Sequence, residues 1–268
     1  MTFIRNSDCG EYMAEFFGTF VFLFCGMGCV AGLKLAGASF GQWEVSIVWG
    51  LAVAMGAYLA SGVSGAHLNP SVTIALAFFA CFPKRKIIPF IIAQMLATFC
   101  AAALVYFLYQ NLFDIALAKA GGDAAARLSL AGVFCTFPHP DISLFQAAMT
   151  ELIITAVLMA LIMALTDDGN GIPRGPLAPL LIGLLVALLG ATFGPLTGFA
   201  MNAARDFGPR LFAYIAGWGP DVMTGYPLNQ NISIPYFLVP LLVPAIGACL
   251  GAFLYKRIIE SGLACKLH

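Results

Sequence analysis

Apolar residues fall into six runs long enough to cross a bilayer, at about 12–33, 42–61, 87–109, 145–166, 177–193 and 235–255. A spanning helix needs roughly 20 such residues. Helix is the form these runs must take, because an open strand in lipid leaves its backbone polar groups unpaired. Two further apolar stretches, 69–80 and 202–214, are too short to span. Each follows a glycine-containing approach, Gly62 and Gly65 in one case, Gly194 and Gly198 in the other, and each opens on an asparagine, Asn69 or Asn202. An acidic residue recurs in the first run of each half: Glu15 lies 54 residues before Asn69, and Glu151 lies 51 before Asn202. Three spans and one half-span, repeated, make an odd number of crossings per copy, so the second copy is inverted. Paired interrupted segments of this kind point to a transport site at the midplane. The pattern predicts an all-α integral membrane protein with six transmembrane helices and two half-spanning helices. Its halves are 1–140 and 141–268, and together they form one pore-forming domain.

Composition agrees. The chain of 268 residues is 61% hydrophobic and 10% charged, whereas a soluble domain is nearer 45–50% and about 25%. Thirteen Lys and Arg balance thirteen Asp and Glu, and without a basic excess nucleic acid is excluded as a partner. Small residues recur every fourth position, at Ala93, Ala97 and Ala101, at Ala156, Ala160 and Ala164, at Gly183, Ala187 and Ala191, and at Gly247 and Gly251. Such stripes let helix backbones approach closely. With a cytoplasmic N-terminus, Arg5, Lys84, Arg85, Lys86, Arg174, Lys256, Arg257 and Lys266 lie inside, against Lys34, Lys119 and Arg127 outside. That asymmetry predicts both termini in the cytoplasm. The eight cysteines show no metal spacing and read as apolar filler. No metal or other cofactor is expected. Glu11 and Glu15 stand where a secretory signal would carry positive charge, so the first run is read as a span.

The short helices carry the chemistry. An asparagine N-cap accepts a backbone N–H through its side-chain oxygen, which leaves its amide free to donate. Half-helices entering from opposite sides bring Asn69 and Asn202 together with both positive dipole ends. Cations face a barrier there, while a neutral hydroxyl can accept from the amides. The irregular approaches 64–68 and 197–201 must line a cavity and supply carbonyl acceptors. Arg205 is a charge at membrane depth, by default functional. Asp206 beside it is expected to neutralise it partly or to brace the turn. Trp49 and Phe199 offer an apolar wall suited to a carbon backbone. Glu15 and Glu151 are expected to brace the loops by accepting their N–H groups. His67 is a second brace or a proton switch. The Asp167, Asp168, Asn170 tract lacks the acidic ligand that ends a calcium loop and reads as a cytoplasmic turn.

Ser-Gly-Val-Ser-Gly-Ala-His-Leu-Asn-Pro at 61–70 and Gly-Phe-Ala-Met-Asn-x-Ala-Arg-Asp-Phe-Gly-Pro-Arg at 198–210 resemble the aquaporin superfamily, the major intrinsic proteins. The Asp after Arg205 and the tract 166–179 are similar to the aquaglyceroporin branch, to which bacterial glycerol facilitators belong. The resemblance covers about 10–258. It implies a homotetramer with one pore per subunit in a cell membrane, passing glycerol, other small polyols and some water while excluding ions and protons. It implies a selectivity filter at Trp49, Gly190, Phe199 and Arg205, central asparagines at Asn69 and Asn202, and pore carbonyls at Gly65, Ala66, His67, Gly198, Phe199 and Ala200. The family's Asn-Pro-Ala appears here as Asn69-Pro70-Ser71 and Asn202-Ala203-Ala204. Ala203 gives up the fixed φ of proline at the first helical position, which bears on pore width at the centre.

Two other classes stay open on residues alone. A secondary transporter would also use inverted repeats and broken helices, with Glu15 or Glu151 as its coupling carboxylate. A packing or adhesion protein with a closed pore is the other. No nucleophile, base and metal cluster suggests an enzyme.

Overall fold

The computed structural model describes residues 8–170, 175–226, 228–230 and 234–262. Arg5, Arg174, Lys266, Gly171 and Cys265 lie outside the described residues, as does part of the 166–179 tract. Among the described residues every regular element is helical. The long helices are α1 (Asp8–Leu35), α2 (Gln42–Ser64), α4 (Ile87–Ala120), α6 (Leu144–Thr166), α7 (Ala178–Thr197) and α10 (Leu238–Leu254). All six, α10 with its continuation to Glu260, are long and apolar enough to cross a membrane. Between them stand the short helices α3 (Pro70–Phe79), α5 (Ala124–Ala131), α8 (Ala203–Ala213) and α9 (Asp221–Thr224).

Most boundaries fall within a few residues of the hydropathy runs. The main exception is α4, which continues eleven residues past the predicted end at 109. No Gly or Pro interrupts 90–120, and the helix stops only at Gly121, which takes a left-handed φ of 58°. Thirty-four residues at about 1.5 Å each reach roughly 51 Å, well beyond the hydrocarbon layer. The fifth run also extends, to Thr197 rather than 193. Pro195 lies in its last turn, where the following loop bonds to Glu151 take over from the helical ladder.

The packing is reciprocal. α1 lies against α2 and α4, and α6 lies against α7 and α10, while α2 and α7 meet across the middle. The half-helices cross over: α3 packs on α10 and α8 packs on α4. Each half is therefore incomplete without the other. The small-residue stripes lie at these crossings. A Cβ on Gly251 would stand 2.0 Å from the Ala156 carbonyl oxygen, and one on Gly247 would stand 2.4 Å from that of Leu152. On the α2–α7 side, Gly50 and Gly183 face each other in the same way, each Cβ meeting the other's carbonyl at 2.3–2.4 Å. Backbone atoms cannot swing aside as side-chain ends do. Gly251→Leu is therefore expected to cost at least about 3 kcal/mol, above the usual range for overpacking. Thermal unfolding in detergent should show a large drop for it and little change for Gly62→Leu, where nothing lies within 4 Å.

At one end, Lys86 bridges Asp8 at 2.9 Å and Glu11 at 2.7 Å, and Arg85 reaches Asp8 at 2.8 Å. These pairs tie the start of α1 to the turn after α3 and place both on the same side of the bundle.

Candidate functional site

The two segments that lead into the half-helices have nearly the same backbone. Gly65 and Gly198 take φ of 84° and 76°, the left-handed conformation that ends α2 and α7 and that glycine adopts without penalty. Ala66 and Leu68 follow at 53° and 51°, Phe199 and Met201 at 41° and 48°. Non-glycine residues there cost on the order of 1–3 kcal/mol each, so something must hold them.

The holders are the two buried carboxylates. Glu15 accepts from the Ser64 hydroxyl at 2.7 Å, from the His67 and Leu68 N–H groups at 2.8 Å, and from the Gln94 amide at 2.7 Å. Glu151 accepts from the Thr197 hydroxyl at 2.6 Å and from the Ala200 and Met201 N–H groups at 2.9 and 2.8 Å. With the N–H groups turned toward the carboxylates, the carbonyls of 65–67 and 198–200 meet no protein donor among the described residues. Of these residues Gly65, Ala66, His67, Phe199 and Ala200 line the cavity, and Gly198 does not.

Asn69 and Asn202 cap α3 and α8. The Asn69 side-chain oxygen accepts from the Ser71 N–H at 2.8 Å; that of Asn202 accepts from Ala204 and Arg205 at 2.9 and 3.2 Å. Each amide then donates across the midline, Asn69 to the Met201 carbonyl and Asn202 to the Leu68 carbonyl, both at 2.8 Å. One N–H of each amide is spent in this exchange and the second remains for the lumen. Ala203 does not disturb the cap: Asn202 sits at φ −155°, ψ 112°, against −157°, 120° for Asn69 before its proline.

Toward the other end, the Arg205 guanidinium carbon lies 4.2 Å from the centre of the Trp49 ring, and its Nη1 donates to the Phe134 carbonyl at 3.3 Å. Trp49 and Phe199 stand edge to face, centres 6.2 Å apart. Gly190 belongs to this group from behind. It is absent from the cavity wall, and a Cβ on it would stand 2.9 Å from the Phe199 ring. Its missing side chain is the space the phenyl ring occupies.

Among the described residues Asp206 makes no hydrogen bond to Arg205 and acts as a brace elsewhere. Its oxygens accept from Arg210 Nε at 2.7 Å and Nη2 at 3.0 Å, and from the Thr136 N–H and hydroxyl at 2.8 and 2.6 Å. Arg210 continues to the Thr136 carbonyl at 2.5 Å and to the Val222 carbonyl. The pair lies one helical turn apart, fully buried, and it fastens the segment that holds the Phe134 carbonyl against Arg205. Asp206 thereby braces the segment whose Phe134 carbonyl meets Arg205. The i, i+4 spacing of Asp206 and Arg210 was the available signal for this pair. Gln94 and Thr136, 79 and 70 residues from their partners, carried no local signal. His67 lines the cavity, with its Nδ1 3.1 Å from the Thr73 hydroxyl and its ring against Phe82 and Phe90.

These groups surround one cavity of about 340 Å³. Its lining combines the apolar side chains of Phe22, Val53, Leu158, Ile162 and Val186 with the carbonyl-bearing loops, the two asparagines and Arg205. Among the described residues no group of three His, Cys, Asp or Glu could hold a metal ion.

Six apolar spans around two half-helices that meet at a polar centre define a multi-pass membrane protein with a lumen between its halves. The sequence profile described as "Major intrinsic protein" matches residues 3–255, and the chain belongs to that family. It is 60% identical over 260 residues to the glycerol uptake facilitator protein of Escherichia coli K12, covering 96% of this chain and 91% of the relative. It is 55% identical to the propanediol uptake facilitator PduF of Citrobacter freundii, covering 98% and 97%. The aquaglyceroporin of Plasmodium falciparum superposes with a TM-score of 0.83 at 33% identity, covering 97% of this chain and 100% of that one.

Proposed function

We propose that this chain is a passive, bidirectional channel for glycerol and other small neutral polyols, with some water, and that it excludes ions and protons. The observation that carries the reading is the mixed lining of the lumen, in which apolar side chains stand together with hydrogen-bonding groups. A polyol has a carbon edge and a hydroxyl edge. Trp49, Phe199 and Phe22 suit the first; the free amides of Asn69 and Asn202, the carbonyls of 65–67, 199 and 200 and the Arg205 guanidinium suit the second. Trp49, Gly190, Phe199 and Arg205 form the selectivity filter in this reading. Relatives at 55–60% identity named for glycerol and propanediol uptake support it.

Ion exclusion follows from charge. Arg205 and the two half-helix N-termini place positive potential along the path. Glu15 and Glu151, the candidate coupling carboxylates of a secondary transporter, are fully buried and absent from the cavity wall, which favours a channel over a coupled carrier. No enzymatic step and no cofactor is part of the proposal. The halves 1–140 and 141–268 act as two inverted copies, four chains assemble as a homotetramer, and both termini face the cytoplasm of a bacterial inner membrane. The ion pairs that place Lys84–Lys86 beside the start of α1 support that orientation.

Reconstituted vesicles shifted into hyperosmotic glycerol test this. Light scattering should show reswelling much faster than in empty vesicles, with a rate set by the glycerol gradient and unaffected by an imposed pH gradient. Reswelling at the empty-vesicle rate would overturn the proposal, and dependence on the pH gradient would favour a carrier.

A further inference from the structure

We propose that Gly26 of α1 is a specificity-determining residue, acting as the seat that fixes Trp49 and thereby the width of the constriction. The inference rests on the channel reading above and names a residue behind the wall that sets what the wall admits.

Trp49 has close neighbours both on the lumen side and on α1. On the lumen side it meets the Arg205 guanidinium at 4.2 Å and the Phe199 ring at 6.2 Å. On the α1 side Phe22 meets it edge to face, centres 5.6 Å apart. Gly26, one turn further along α1, completes the seat. A Cβ there would lie 2.6 Å from Trp49 Cε3 and Cζ3 and 2.7 Å from Cδ2. All three atoms belong to the six-membered part of the indole. Carbon atoms in contact stand about 3.5–4.0 Å apart, so a methyl at position 26 requires the ring to move by roughly 1 Å.

The direction of that movement is constrained. α1 cannot retreat easily, because two turns earlier Gly18 and Gly56 bring α1 and α2 into backbone contact, a Cβ on Gly56 standing 2.4 Å from the Gly18 carbonyl oxygen. Gly26 is buried and does not line the cavity, whereas Trp49, Phe199 and Arg205 do. Displacement away from α1 therefore drives the indole toward the lumen and toward Arg205. Gly190 stands in the same relation to Phe199, with a Cβ 2.9–3.0 Å from its ring. Both aromatic members of the constriction are thus seated on a missing side chain, one on α1 and one on α7. The aperture is set as much by these two vacancies as by the rings.

A solute with a carbon backbone feels a narrower slot long before water does. A misfit of one methyl in a tight site is worth about 10–200-fold. For Gly26→Ala in reconstituted vesicles, glycerol permeability should fall at least about tenfold while water permeability changes by less than about twofold. Gly28→Ala, on the same helix with nothing within 4 Å, should leave both unchanged. Gly26→Ala with Trp49→Phe should recover much of the glycerol flux, because a smaller ring vacates the contested volume; a merely structural defect would not be rescued by altering the filter. If the single variant fails to assemble, the double variant still decides, since it must assemble and conduct glycerol. An unchanged glycerol-to-water ratio in Gly26→Ala, or a double variant that neither assembles nor regains glycerol flux, overturns the proposal. Failure of the wild-type protein to conduct glycerol would instead overturn the channel reading beneath it.

Discussion

Arg205→Val is expected to turn an ion-tight pore into one that passes monovalent cations. Arg205 is 6% exposed and lines the cavity with its charge against the Trp49 face. A cation passing within about 4 Å of that charge is opposed by on the order of 4 kcal/mol at an effective dielectric of 20, roughly a thousandfold in occupancy. Removing the guanidinium removes that term and widens the slot as well. The half-helix dipoles remain, so the barrier is lowered and not abolished. In planar bilayers the variant should carry measurable sodium or potassium current where the wild-type protein is silent. Its glycerol flux should persist, since Asn69, Asn202 and the loop carbonyls do not depend on Arg205. Silent bilayers with intact glycerol flux would remove Arg205 from the filter.

The largest expected stability effect lies at Asp206 and Arg210. Their side chains are 1% and 0% exposed, and together they satisfy the Thr136 N–H, hydroxyl and carbonyl and the Val222 carbonyl. Removing one partner strands the other's charge in the protein interior, at about 3–5 kcal/mol. Arg210→Met should therefore lower thermal stability sharply, as should Asp206→Leu. The double variant should lose less than the two single losses combined, because neither charge is left alone. Thermal unfolding of the purified protein in detergent checks this. Additive losses would mean that the two side chains act through separate contacts. Ion exclusion should also weaken in the single variants, since Thr136 sits two residues from the Phe134 carbonyl that holds Arg205.

The architecture was readable because the bilayer imposes it. Six runs of about 20 apolar residues had few other forms open to them, and the structure has six helices there. The half-helices were readable for a related reason. A short apolar stretch that opens on Asn after a glycine cannot span, and its repetition in the other half made chance a poor account. The roles sketched for Glu15 and Glu151 could be framed because a buried carboxylate needs N–H partners and the adjoining loops have N–H groups to spare.

What the residues by themselves determined, then, was membrane helix, half-helix and the identity of the polar groups at the centre. Local rules govern these: hydropathy over a span, an asparagine at a helix start, a glycine at a helix end. Only the tertiary structure decided which charges meet. Asp206 stands beside Arg205 in sequence, yet the helical turn carries it to Arg210. Gln94 comes to Glu15 across 79 residues, and Thr136 to Asp206 across 70. The seat of Trp49 is also of this kind, since a glycine in an apolar helix gives no sign of what fills the space it leaves. The physical reason is common to all of them. Burial and pairing depend on which backbones come within a few ångströms, and that distance belongs to the packed bundle and not to the chain.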